Sequence, residues 1–132
     1  CWDMHPFRVT EETKELVLGN IALLLNRFLR CSACDHVILA WVLHRQEILD
    51  ALLEQVDTAG CAVRPISLVC RPEVLRARIG ADTAAGRRDA GAAERALAYL
   101  PLYRELHTQH IDTSELTPEQ AARRILERSQ RT

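Results

Sequence analysis

The sequence predicts an α/β domain in which helices flank a parallel sheet, and two observations lead to this prediction. Three short segments have the apolar, β-branched character of strands: 36–43 ("HVILAWVL"), 61–70 ("CAVRPISLVC") and 109–114 ("QHIDTS"). The segments around them repeat apolar residues at helical spacing. Because strand and helix alternate along the chain, a single α/β domain over residues 1–132 is expected.

Capping residues mark where the helices should begin and end. Thr10 precedes two glutamates, which is typical of a helix start, and the apolar residues that follow are dense enough to predict burial on most sides. A second helix should end before Gly60, and a third should open at Pro72. A fourth is expected to run up to Pro101. In the last helix, "TPEQ" (117–120) has the pattern of a capping box.

Composition narrows the class of protein. The chain has 132 residues, 48% of them apolar and 27% charged, which is typical of a soluble globular domain. A net charge of -1 gives no electrostatic reason to expect nucleic acid or an anionic membrane. No apolar run is long enough to span a bilayer. Five cysteines without regular spacing indicate reduced thiols, so the cytoplasm is the expected compartment.

Polar residues that follow the predicted strands are candidates for a functional site. In open parallel sheets, ligands bind at the carboxyl ends of the strands. Arginine is suited to phosphate because its planar fork matches two phosphate oxygens at once. The candidates are Asp3 and His5 near the start, His44 and Arg45 after the first strand, Arg76, Arg78, Arg87 and Arg88 after the second, and Asp112, Thr113 and Ser114 after the third.

The order of four segments resembles a known family. These segments are "DMHPF", "HVILAWVLHRQEI", "ISLVCRPEVLRARIGADTAAGRRD" and "HIDTSELTPEQAARRI". Together they resemble the later part of small P-loop kinases, the group that includes gluconate, shikimate and chloramphenicol kinases. The resemblance covers nearly the whole chain. It implies a three-layer α/β/α parallel sheet that lacks the family's first two strands and P-loop.

The resemblance also implies roles for the candidate residues. ATP and Mg²⁺ would be the cofactors, and a small molecule would accept the phosphate. A lid over about 76–95 would close on the ATP phosphates. By position, the substrate loop would hold the catalytic candidates Asp3 and His5, and the acceptor would face His44 and Arg45. The lid would contribute four arginines, Arg76, Arg78, Arg87 and Arg88. The adenine would be bordered by Asp112, Thr113 and Ser114.

The chain departs from this family in one essential part. A Walker A loop places a lysine directly after a glycine, but the single lysine, Lys14, follows a threonine. This chain alone is therefore expected to bind ATP weakly or not at all. It is also expected to continue a protein rather than begin one, with roughly 35–45 residues, the size of a βαβ start, in front of it.

Other interpretations stay open. A non-catalytic relative could use the same scaffold as a binding or assembly module, with its arginines forming a solvated helix face and Thr113 and Ser114 a simple turn. A more distant alternative is zinc or redox chemistry at "CSAC" (31–34), a CxxC pair. A structural zinc site needs four ligands, and Cys61 and Cys70 lie around a different strand. No metal-ligating residues are therefore assigned.

Overall fold

A computed structural model of the chain describes residues 5–6 and 8–130. Over these residues the protein forms five helices and two strands. In chain order they are α1 (Glu11–Leu29), α2 (Gln46–Gln55), β1 (Ile66–Val69), α3 (Pro72–Ala84), α4 (Ala92–Glu105), β2 (Gln109–Asp112) and α5 (Pro118–Gln130).

The predicted three-layer α/β/α sheet of P-loop kinase type is wrong. The protein is 55% helical, and β1 and β2, which pair in parallel, are the only strands in the described residues. Residues 36–43 form no strand, because no other described strand pairs with their backbone. Trp41 and Leu43 pack instead against the core between α1 and α2. In the segment 61–70, a strand begins only after Pro65, which has no N–H to donate.

The chain folds as two compact units, Cys1–Val63 and Arg64–Thr132. Whether both units belong to the single domain predicted over 1–132 is not tested by this division, and the single domain stays a prediction. In the first unit, α1 and α2 bury Val17, Ile21 and Leu52 against each other. The expectation that α1 is buried on most sides is wrong, because its apolar stripe is wider than the surface α2 can cover. The half-exposed residues are Leu16, Leu23, Leu24 and Phe28.

A polar tie supplements this core. The side chain of Asn26, near the end of α1, donates to the Gln55 carbonyl at 2.9 Å and accepts from the Asp57 N–H at 2.7 Å. The two bonds satisfy a carbonyl and an amide at the end of α2, which helical hydrogen bonding leaves without partners. Asn26 therefore fixes where α2 stops relative to α1.

The second unit is built around β1 and β2. Val69 is in register with Asp112, and helices α3 and α4 form the crossover that a parallel pair requires. Helix α4 does not stop at Pro101 as expected but continues to Glu105, so the proline lies inside the helix. The buried residues of this unit are Ser67, Cys70, Ile79, Ala92, Leu100, Leu106, Ile111 and Ala121.

The caps predicted at Thr10 and Thr117 are confirmed, whereas α2 ends at Gln55 with Val56 as its C-cap, well before the stop predicted at Gly60. Thr10 accepts a hydrogen bond from the Thr13 N–H at 3.2 Å at the start of α1. Before α5, the Gln120 N–H donates to Thr117 Oγ1 at 3.2 Å, and the Thr117 N–H donates to Gln120 Oε1 at 2.9 Å. Such reciprocal bonds satisfy amides that the first helical turn leaves free.

No helix within residues 5–6 and 8–130 combines the length and the apolar content needed to cross a membrane.

Candidate functional site

The carboxyl ends of β1 and β2 lie side by side because the strands are parallel and in register. The loop that leaves β2, residues 113–116, is bonded directly to the segment that leaves β1. Its Thr113 N–H donates to the Val69 carbonyl at 2.8 Å, and the Arg71 N–H donates to Ser114 Oγ at 2.9 Å. The structure therefore brings the candidate residues of this loop to the start of α3.

Arg71 links the two loops through its side chain as well. Its guanidinium pairs with Glu115 at 2.5 Å and with Glu73 at 3.0 Å. The hydrogen bonds from Arg71 to Glu115 and then Glu73 raise the pKa of this arginine. Because the three side chains are well exposed to solvent, the pairs set geometry more than they add stability.

Asp112 shapes the turn at the end of β2. Its Oδ1 accepts a hydrogen bond from the Ser114 N–H at 2.8 Å, in the manner of an Asx turn. Hydrogen bonds from the side chain and backbone of Ser114 lower the pKa of Asp112. The carboxylate stays charged at neutral pH, and the turn that it forms orients the backbone of residues 113–116.

Arg78 holds the same loop from α3. Its Nη2 donates to the Thr113 carbonyl at 2.7 Å and to the Leu116 carbonyl at 3.3 Å. Its Nη1 donates to Thr113 Oγ1 at 3.1 Å. Of the four predicted lid arginines, Arg78 is the one that reaches the β2–α5 loop by the described hydrogen bonds.

Arg87 and Arg88 converge on one carboxylate. Arg87 donates to Asp82 Oδ1 through Nε at 3.0 Å and Nη2 at 2.6 Å, and Arg88 Nε donates to Oδ2 at 3.3 Å. The turn that allows this includes Gly86, whose φ of 72° favours glycine. Hydrogen bonds from Arg87 and then Arg88 lower the pKa of Asp82. Two cations thus surround a single anion.

Arg76 pairs with Glu94 at 2.5 Å, which links α3 to the first turn of α4. A similar pair joins Arg95 to Asp89 at 2.6 Å, and hydrogen bonds from Arg95 and from the Gly91 N–H lower the pKa of Asp89. Ion pairs therefore join α3 to α4 and hold the turn between these helices.

The remaining candidates belong to the first unit. His44 is half-buried just before α2, and Arg45 is the exposed N-cap residue of that helix, without a side-chain capping bond. His5 is exposed in a bend, and Asp3 lies outside the described residues. The described hydrogen bonds between candidate residues, from Arg78 to Thr113 and from Ser114 to Asp112, lie within the second unit.

Sequence reasoning missed the acidic partners of the arginines. Asp82, Glu94 and Glu115 pair with Arg87, Arg76 and Arg71, but these partners lie five, eighteen and forty-four residues apart. None of these separations is the i,i+3 or i,i+4 spacing from which an ion pair within a helix can be predicted. The available signal was only that acidic residues, Asp82 and Glu94 among them, are interspersed with the arginines along the sequence.

The second unit also contains an open apolar cavity of about 440 Å³. None of the predicted site residues lines it. Arg104, at its edge, donates to the Cys70 carbonyl at 3.4 Å, which is long for a hydrogen bond. The lining residues are Pro72, Leu97, Leu100, Pro101 and Arg104.

The CxxC pair follows α1 in a turn where the Cys34 N–H donates to the Cys31 carbonyl at 3.1 Å. Both thiols are free and exposed. Desolvation and the neighbouring Cys31 raise the pKa of Cys34, so this thiol is protonated at neutral pH. No group of three or more His, Cys, Asp or Glu residues in the described chain is placed to hold a metal ion.

Comparisons with family models, with curated proteins and with solved structures found no match to this chain.

Proposed function

We propose that this chain supplies the phosphate-binding arginines of an ATP-dependent phosphotransferase that acts on a small-molecule acceptor in the cytoplasm. The observation that supports this most directly is the convergence of Arg87 and Arg88 on the carboxylate of Asp82. A phosphate group offers the same oxyanion chemistry with more charge and more oxygens. The resemblance to small P-loop kinases supplies the phosphoryl-transfer part of the proposal.

The ion pairs within the second unit are compatible with such a role because they are easily exchanged. The side chains of Arg87 and Arg88 are 66% and 55% exposed. Pairs this exposed add little to stability, because water and salt screen them. A polyphosphate that approaches these guanidiniums can replace Asp82 at little cost and neutralise more of their positive charge.

Phosphoryl transfer needs positive charge around the transferred group, where negative charge is spread over the phosphate oxygens. In the proposal, Arg76, Arg87 and Arg88 provide this charge, and the β2–α5 loop borders the base. Mg²⁺ normally keeps several waters and binds phosphate oxygens as well as one or two carboxylates. No cluster of three or more His, Cys, Asp or Glu residues in the described part of the chain is placed to hold the metal.

A titration of Mg-ATP tests the proposal. The titration uses the product of the whole reading frame that contains this chain, because these 132 residues include no glycine-lysine pair to cradle the β-phosphate. We expect R87Q/R88Q to weaken ATP binding about tenfold or more, which is about 1.4 kcal/mol. The control R123Q/R124Q removes the same charge from two exposed, adjacent arginines in α5 and should leave binding nearly unchanged. Equal weakening by both variants, or no binding by the wild type, contradicts the proposal.

A second function, a non-catalytic binding or assembly module, is favoured by a different observation. Arg76, Arg87 and Arg88 all face carboxylates of their own unit, and Arg78 is bonded to a loop. These contacts are sufficient to explain the arginines as structural residues. Under this alternative, a variant in which all four become glutamine keeps the protein's binding partner, whereas a phosphotransferase loses its activity.

A further inference from the structure

The β2–α5 loop has few ways to move because its polar groups are bonded to β1, to Arg71 in the segment that follows β1, and to α3. Thr113 is tied to β1 through its N–H, and its Oγ1 also donates to the Val69 carbonyl at 3.2 Å. Ser114 accepts from the Arg71 N–H at 2.9 Å. Arg78 then holds the loop from α3. Of these ties, Arg78 is the only one in which a single side chain spans both the start and the end of the loop.

The guanidinium of Arg78 gives three of its five N–H donors to this loop, and both hydrogens of Nη2 are among them. Nη2 carries two hydrogens, and the carbonyls of Thr113 at 2.7 Å and Leu116 at 3.3 Å take them. The Ser114 carbonyl at 3.5 Å is too far to compete. Nη1 is engaged with Thr113 Oγ1 at 3.1 Å. A two-point phosphate contact by Arg78 would need Nη2 and would break at least one of its carbonyl bonds, whereas Arg76 would give up a single exposed pair.

We propose that Arg78 is a positioning residue, which fixes the backbone of residues 113–116 so that this loop can discriminate the nucleotide base, and that it does not contact phosphate. The proposal rests on the function proposed above, in which this loop borders the adenine. Backbone amides and carbonyls can tell adenine from guanine only if they are held in place, because the two bases differ in the donors and acceptors on the same edge.

Arginine suits this role better than lysine. Its planar fork presents donors in fixed directions, so one residue can hold two carbonyls and a hydroxyl together. A lysine side chain is one bond shorter and has a single nitrogen, so it does not reproduce the bonds that Nη1 and Nη2 make to the hydroxyl and the two carbonyls together. The substitution Arg78→Lys keeps the charge, and it separates the effect of the fork from that of the charge.

Hydrogen exchange on the full-length protein without nucleotide tests the first half of the proposal. In R78K and R78A, we expect the amides of Ser114 to Leu116 to exchange about tenfold faster or more, because the loop opens locally. R76A removes the same charged group two residues away, and it should leave these amides unchanged. Unchanged exchange in both Arg78 variants overturns the proposal. R78K serves as the folded reference if R78A is unstable.

Base discrimination tests the second half. The ratio of the affinities for ATP and GTP should fall about tenfold in R78K, since the loop then samples several positions. R76A should weaken ATP and GTP alike, so the ratio stays the same. A loosened loop with an unchanged ratio shows that Arg78 is structural only and overturns the positioning role. If the wild type binds neither nucleotide, the phosphotransferase proposal fails, and the proposed role of the loop in base discrimination fails with it. The hydrogen-exchange data still decide whether Arg78 holds residues 113–116 in place.

Discussion

Asp82 and Arg87 form a two-point contact across the end of α3, in which Nε and Nη2 of the arginine both donate to Oδ1 of the aspartate, at 3.0 and 2.6 Å. Arg88 approaches the other oxygen of the same carboxylate at 3.3 Å. The carboxylate therefore occupies the position in which an oxyanion from outside would meet two guanidiniums. If phosphate binds to these arginines, Asp82 is its internal competitor.

Removal of this competitor should tighten phosphate binding. In D82N, Arg87 and Arg88 lose their charged partner, and we expect the affinity for inorganic tripolyphosphate to rise about threefold to tenfold at low salt. Isothermal titration calorimetry at two salt concentrations measures this change. D50N changes the net charge equally, and Asp50 lies on α2 with a glutamine as its described partner. An equal gain in D82N and D50N would mean that only net charge matters.

Acid should weaken the second unit. Hydrogen bonds hold the pKa values of Asp82, Asp89 and Asp112 below their ordinary value of 3.8. Groups with a depressed folded pKa stabilise the protein above the unfolded pKa, and this stability is lost as pH falls through the folded pKa. We therefore expect no loss between pH 7 and 5 from these groups, and a progressive loss below about 4.

Carboxyl NMR titration checks the assignment of this acid sensitivity. The three carboxyls should titrate with midpoints below 3.8. Urea unfolding of D82N should show a shallower dependence on pH below about 4 than the wild type, because one of the groups is gone. Midpoints at or above the ordinary value would show that the ion pairs do not persist in solution.

Loss of a buried leucine should destabilise the first unit. Leu52 is 2% exposed and packs against Val17 and Ile21, so L52A removes buried methyl groups and leaves a cavity. We expect the free energy of unfolding to fall by about 2–5 kcal/mol. L23A is the matched control, because Leu23 is 55% exposed on α1 and its truncation should change stability by about 0.5 kcal/mol or less. Chemical denaturation that gave similar losses for both variants would contradict this core.

The contribution of the two Asn26 hydrogen bonds to the free energy of unfolding should be measurable by comparison with Asn20, a second asparagine on α1. N26A leaves the Gln55 carbonyl and the Asp57 N–H to water, and it should cost about 1 kcal/mol. N20A makes the same change at an exposed position of α1, where better helix propensity should stabilise slightly. The difference between the two variants isolates the tie, and equal stabilities would show that it contributes nothing.

Local features could be predicted from the sequence, but pairing could not. The capping residues Thr10 and Thr117 depend on neighbours within three positions, and both were predicted correctly. Residues 36–43 have the composition of a buried strand, yet a strand exists only where another strand binds its backbone, and no described strand does. Composition alone does not specify that partner.

In the candidate site too, the positions of residues next to a strand could be predicted, but the partners of their side chains could not. Thr113 and Ser114 directly follow β2, and the parallel pairing of the strands puts them beside the segment that follows β1. The separate tasks of the arginines could not be predicted. Arg76 and Arg78 differ by two positions on α3, which turns their side chains to different neighbours, Glu94 and the β2–α5 loop.

Acceptor-dependent formation of ADP tests the central claim most directly. The product of the whole reading frame is incubated with Mg-ATP and a nucleotide-depleted extract of small metabolites, and both ADP and newly phosphorylated molecules are measured by mass spectrometry. We expect ADP and one phosphorylated acceptor to appear together, with rates that fall about tenfold or more in R87Q/R88Q but not in R123Q/R124Q. ADP formation that is absent, or that is equal in all three proteins, would contradict the assignment of a phosphotransferase role to these arginines.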